Sequence, residues 1–260
     1  MAECSAVIDL VRGVGRPVIV VQLLELPFRR IVAGALLVAG LVATGTAAAQ
    51  TPDQLRSCRN LDSLFSFDQQ ISGCTAVIDA GRRSKLDLHF AFHSRGYAYY
   101  KKDNFEGAIA DFSEAIRLDP EDAHALNGRC WMRTIVGRDL REALEDCNAA
   151  LRLRPDDAAT IDSRGFACLK LGQLNNAIAE YDAALALAPG QAESRYGRGA
   201  AKLQKGDKEG GNADIAAAKV LDPGIAEEFA KYGVRQNGAV VSITPAPTSR
   251  ADCGRAIASR

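Results

Sequence analysis

From residue 89 onward, apolar and small residues return with a period near 34. Inside each period two short amphipathic stretches are separated by a polar turn, the pattern of paired helices. The first pair predicts a helix over Phe90 to Lys101, a turn at Lys102-Asp103-Asn104 and a second helix over Phe105 to Leu118. Asp119-Pro120 then stops it, because proline cannot continue a helix and disfavours helical geometry in the residue before it. Equivalent prolines stand at Pro120, Pro155, Pro189 and Pro223, with spacings of 35, 34 and 34. Leu118, Leu153, Leu187 and Leu221 precede them by two positions, and Ala115, Ala150, Ala184 and Ala218 by five.

Four repeats follow: residues 89–122, 123–157, 158–191 and 192–225. The extra residue of the second lies near Val136-Gly137-Arg138-Asp139, a turn, where insertion costs little. Position eight of each repeat is small where two helices cross: Gly96, Cys130, Gly165 and Gly199. Position twenty is also small: Ala108, Ala143, Ala177 and Gly211. Large residues fill the space beside them, Tyr99 with Phe112 and Ile161 with Tyr181. This combination resembles the tetratricopeptide repeat family over about half the chain. The resemblance implies an all-α fold, a right-handed superhelical solenoid of helix-turn-helix hairpins that binds rather than catalyses. The fourth repeat departs most, with Lys202, Gly211 and Ile215 at usually aromatic or alanine positions, and Gly210-Gly211 reads as a worn helix start. Residues 226–234 are expected to form a capping helix over the last apolar face, and 235–260, rich in Ser, Thr, Pro and Ala, a disordered tail.

Position seven is always arginine (Arg95, Arg129, Arg164, Arg198) and position twenty-three always an acid (Asp111, Asp146, Glu180, Asp214). Matched phases predict a ladder of ion pairs along the stack. The other use of such arginines would be to grip an acidic ligand.

Cysteines keep phase as well. Cys130 is position eight and Cys147 position twenty-four of the second repeat. Counting back from Cys74 as position twenty-four places Cys58 at position eight, and Gln70 to Ile78 runs parallel to Ala108 to Ile116. Residues 50–88 therefore read as a degenerate helical hairpin. In a hairpin, positions eight and twenty-four face each other, so Cys58–Cys74 and Cys130–Cys147 are candidate disulfides. The alternative is buried free thiols. Cys168 reads as core, and Cys253 as an exposed tail residue.

The chain carries 32 basic and 32 acidic residues. With no basic run, this balance gives no support for nucleic-acid binding. Residues 1–49 are expected to be a signal peptide with an extended or mis-set start. Arg29-Arg30 flanks the apolar run Ile31 to Val42, and small residues end in Ala47-Ala48-Ala49. Cleavage there predicts a periplasmic or secreted protein beginning at Gln50. The alternative is an uncleaved membrane anchor, the only case in which a membrane partner is expected.

No P-loop, zinc-protease, serine-hydrolase or dinucleotide motif occurs, so the expectation is a non-enzyme without cofactor. His89, His93 and His124 leave a metal site as the rival function. In the repeat family the concave face is built by the first helix of each repeat. Here that implies a partner-binding groove of His93, Tyr97, Lys101, Asn127, Trp131, Asp162, Phe166, Lys170 and Tyr196. An aromatic stripe edged by polar groups suits a peptide or protein partner. Packing of the same stripe as ordinary core is the alternative. The groove lacks the dense Lys and Asn set with which relatives clamp a C-terminal carboxylate.

Overall fold

In the computed structural model, the described residues are 52–81, 83–235 and 237–240, and all belong to one compact unit. The expected signal segment, residues 241–260 and Cys253 lie outside them. Among the described residues eleven helices run in order: α1 (Pro52–Arg59), α2 (Phe67–Asp79), α3 (Lys85–Lys101), α4 (Phe105–Leu118), α5 (Ala123–Val136), α6 (Leu140–Leu153), α7 (Ala158–Lys170), α8 (Leu174–Leu187), α9 (Ala192–Lys205), α10 (Lys208–Leu221) and α11 (Ile225–Lys231). Among the described residues the one β feature is an isolated bridge between Val234 and Val240. None of these helices is long and apolar enough to cross a membrane.

Local chemistry sets the helix ends. Asn104, Asp122, Asp157 and Asp207 each accept a backbone N–H from the first turn of the following helix, satisfying donors that have no partner inside it. Helix α3 starts earlier than the hydrophobic pattern predicts, at Lys85 rather than Phe90, because Ser84 accepts from the Asp87 N–H and caps an added turn. The extra residue of the second repeat is absorbed by two left-handed residues, Gly137 (φ 73°) and Asp139 (φ 53°).

Each helix packs on the next, and the first helices α3, α5, α7 and α9 also pack on one another. The result is an all-α solenoid of stacked hairpins. One apolar core runs from Phe112 through Phe166, Tyr181 and Tyr196 to Phe229 and Val234. Gly210 and Gly211 lie in the first turn of α10, as expected of a helix start, and Gly211 has a packing role there. A Cβ on Gly211 would lie 2.9 Å from the Gly199 carbonyl oxygen, and one on Gly199 2.9 Å from that of Gly211. The two glycines let α9 and α10 touch backbone to backbone.

The arginines do more than pair within their own hairpins. Arg95 grips Asp111 through two bonds of 2.7 and 2.9 Å, and Arg129 and Arg198 grip Asp146 and Asp214 the same way. Arg164 meets Glu180 at 2.8 Å with the two side chains 4% and 2% exposed. Each arginine also donates backward to position twenty-five of the preceding hairpin: Thr75, Ser113, Asn148 and Asp182. The ladder thus stitches neighbouring hairpins together. Thr75 takes this bond in the same phase as the others, so α1 and α2 stand in register with the repeats.

Cysteine sulfurs meet across both hairpins: Cys58 and Cys74 with Cα atoms 4.5 Å apart, Cys130 and Cys147 with Cα atoms 5.5 Å apart, each pair at bonding distance. Cys168 is fully buried.

After α10 the chain turns onto the face formed by α5, α7 and α9. Phe229 stacks on Tyr196 and Phe166 at ring distances of 4.6 and 5.6 Å, and Tyr232 meets Trp131 at 5.7 Å. Residues 235 and 237–240, assigned to a disordered tail on composition, instead form an ordered turn. Arg235 donates to and accepts from it, the Gln204 amide donates to the Gly238 carbonyl, and Gly238 (φ 80°) sits where a Cβ would come within 2.7 Å of the Ala200 oxygen. Composition does not reveal this, because backbone contacts and a glycine hold the turn.

Candidate functional site

Position nine of successive first helices supplies Tyr97, Trp131 and Phe166, and position five supplies His93, Asn127, Asp162 and Tyr196. A helical repeat points equal phases the same way, so these side chains share the inner face. They do not share one environment. Phe166 and Tyr196 are 0% exposed beneath Phe229. Lys170 donates to the Tyr232 carbonyl, lies over the Phe166 ring, and is pushed down to about 8 by burial. These three hold α11 and the turn after it.

His93, Tyr97, Asn127, Trp131 and Asp162 line a pocket of about 390 Å³ between the first helices and α11. Tyr97 is 45% exposed at its edge. Lys101 lies outside that pocket, over the rings of Tyr97 and Tyr100 at 5.7 and 5.3 Å. It borders a second hollow of about 260 Å³ shared with Glu227, Lys231 and Tyr232 of the C-terminal segment. The face is therefore open over α3, α5 and the N-terminal turns of α7 and α9, and covered at Phe166, Lys170 and Tyr196.

Asp162 is the unusual group. It is 5% exposed and receives a 2.6 Å bond from the Ser194 hydroxyl. Burial pushes its carboxyl up to about 7, with nearby Glu193 adding to the rise and the Ser194 bond opposing it. Asn127 Oδ1 and Gln191 Oε1, both from pocket-lining residues, are buried without a hydrogen-bond partner. Burial also lowers His93 below its ordinary value, opposed by the Asp122 charge and assisted by His89 and His124.

The histidine trio borders one hollow of about 470 Å³ beside Asp122, but its rings are engaged separately. His89 is hydrogen-bonded to Asp122 at 2.9 Å, His93 stands 3.9 Å from the same carboxylate, and His124 is engaged by Arg154. Among the described residues no group of three or more His, Cys, Asp or Glu is arranged to hold a metal ion. Tyr100, Gln191, Glu193 and Glu228, which also line the pocket, escape a reading by position nine and position five. Glu228 enters from α11, whose placement no period encodes.

Stacked helical hairpins that share an inner face define a class of repeat scaffold. Profiles of the tetratricopeptide repeat match residues 89–122 and 165–206, so the chain carries tetratricopeptide repeats over those residues. Solved structures share the fold. One is YrrB, described as a tetratricopeptide protein with an unusual peptide-binding site (TM-score 0.51, 18% identity, 65% of this chain and 85% of that one). Another is residues 41 to the end of MamA from Desulfovibrio magneticus RS-1 (TM-score 0.54, 18% identity, 67% and 98%). A third is MamA AMB-1 (TM-score 0.54, 17% identity, 67% and 99%). No curated protein sequence matches this chain.

Proposed function

We propose that this protein is a non-catalytic adaptor of the cell envelope that holds a peptide or protein partner on the inner face of its repeats. The carrying observation is the pocket lined from α3, α5, α7, α9 and α11, with Trp131 in its wall and unpartnered acceptors on Asn127 and Gln191. Aromatic area with a few fixed polar groups is what a protein or peptide ligand needs. The fold-level likeness to YrrB, named for its peptide-binding site, supports the same use. Because Phe229 covers Phe166 and Tyr196, the partner lies over α3, α5 and the N-terminal turns of α7.

Export belongs to this proposal. The basic flank, apolar run and small-residue end of residues 29–49 support it, and so does the approach of two cysteine pairs to bonding distance, since disulfides persist in oxidising compartments. The test is crosslinking of the mature protein in its native envelope, followed by identification of the captured chain. Trp131→Ala is expected to lose that capture while circular dichroism stays helical. Full capture by the variant, or its unfolding, would remove Trp131 from the binding face and with it the groove reading.

A further inference from the structure

The pocket has a charge sign. Three carboxylates line it, Asp162 from α7, Glu193 from α9 and Glu228 from α11, and no Lys or Arg is among the described lining residues. Two cations touch lining side chains without lining the pocket themselves: Arg154 on the His124 ring, and Lys101 over Tyr97 and Tyr100. Two further buried acceptors, Asn127 Oδ1 and Gln191 Oε1, have nothing to accept from. The walls are rings of Tyr97, Tyr100 and Trp131.

We propose that this pocket receives the basic side chain, arginine or lysine, of a peptide lying on the inner face, with the cation meeting the Asp162 carboxylate between aromatic walls. The proposal rests on the groove reading above and adds the chemistry of the occupant. An anionic group meets the Glu193 and Glu228 carboxylates. An apolar side chain leaves Asn127 Oδ1 and Gln191 Oε1 without donors, and buried polar atoms left so are costly. A cation answers all of these at once. It brings several N–H donors, neutralises the buried carboxylate, and is attracted to ring faces within about 6 Å. Arginine fits best, because its planar fork matches a carboxylate and stacks on rings. The specificity is the reverse of a carboxylate clamp, in agreement with the missing Lys and Asn set.

The test uses the full chain with its disulfides intact and pools of short fluorescein-labelled peptides, random except for one central residue. That residue is arginine, its neutral isostere citrulline, or glutamate. Binding is read by fluorescence polarisation. The arginine pool is expected to bind roughly tenfold or more tightly than the citrulline pool, the range for hydrogen bonds to charged groups, and the glutamate pool most weakly. Asp162→Asn is expected to erase the arginine preference, and Glu193→Gln to reduce it. Equal binding of arginine and citrulline pools, or a preference that survives Asp162→Asn, overturns the cation pocket. If all pools bind alike and Trp131→Ala abolishes binding, the groove stands and the cation pocket falls. If no pool binds, both fall.

Discussion

Asp162→Asn should make this protein more stable, and increasingly so as pH rises. The wild-type carboxyl has an ordinary value of 3.8 and is pushed up to about 7 in the fold. Between those values the unfolded chain gives up the proton while the folded chain keeps it, so stability falls with rising pH and levels off above about 7. The whole gap corresponds to on the order of 4 kcal/mol, of which about 2–3 kcal/mol develops between pH 5 and pH 8. Asparagine has no proton to lose and its carbonyl still accepts the Ser194 hydroxyl, so the variant lacks this slope. Glu180, also raised by burial despite Arg164, is common to both proteins and cancels in the difference. The assay is urea unfolding of both at pH 5, 6, 7 and 8, followed through Trp131, the only tryptophan and a wall of the same pocket. The advantage of the variant should widen by about 2–3 kcal/mol across that range. A difference that stays flat, or shrinks as pH rises, would refute the assignment of a proton to buried Asp162. A confirmed slope means the fold carries a costly carboxylate at the point where a cation would relieve it.

Arg164→Ala should destabilise by about 3–5 kcal/mol, because it strands buried Glu180, whereas Arg117→Ala should change stability by no more than about 0.5 kcal/mol. Its ion pair with Glu114 is exposed (65% and 43%), and thermal melts will separate the two. Gly197→Ala should cost roughly 1–3 kcal/mol through overpacking, since the added carbon would lie 2.3 Å from the Tyr181 ring; an unchanged melting point would contradict the close approach. Peptide mapping without reductant should link Cys58 to Cys74 and Cys130 to Cys147, and reduction of either should cost on the order of 3 kcal/mol in the chain-entropy model; free thiols at all four positions in envelope-derived protein would sink the pairing. N-terminal sequencing of the mature protein should begin at Gln50 within a residue or two, and retention of Ile31 to Val42 would refute cleavage.

Period carried most of the fold into view. Four prolines, four leucines and four alanines in fixed phase place the helix pairs, because a repeat that buries its face against neighbours must present the same residues each time. The arginine and acid phases foretell the ion pairs for the same reason. Their third arm, to Thr75, Ser113, Asn148 and Asp182, was harder to read because position twenty-five varies in chemistry while keeping only the ability to accept. The path of α11 was not legible at all. Ile225, Ala226, Phe229 and Tyr232 form an apolar stripe that suits the end of the array and its inner face equally well, and the choice is made by the rings of Trp131, Phe166 and Tyr196. That choice splits the nine residues of the candidate groove. His93, Tyr97, Asn127, Trp131 and Asp162 face a pocket, Lys101 borders the second hollow, and Phe166, Lys170 and Tyr196 face the chain's own C-terminal segment.

The inner face over α3 and α5 as a binding surface is tested most directly by site-specific photocrosslinking in the native envelope. A photoreactive phenylalanine analogue replaces Tyr97, 45% exposed at the pocket edge, or Val220, 83% exposed on α10 as the control. The account predicts a discrete crosslinked partner from position 97 that maps to one peptide of that partner, is lost when Trp131→Ala is added, and is absent from position 220. Crosslinks of equal yield from both positions, or none from position 97 in protein that remains helical, would contradict it.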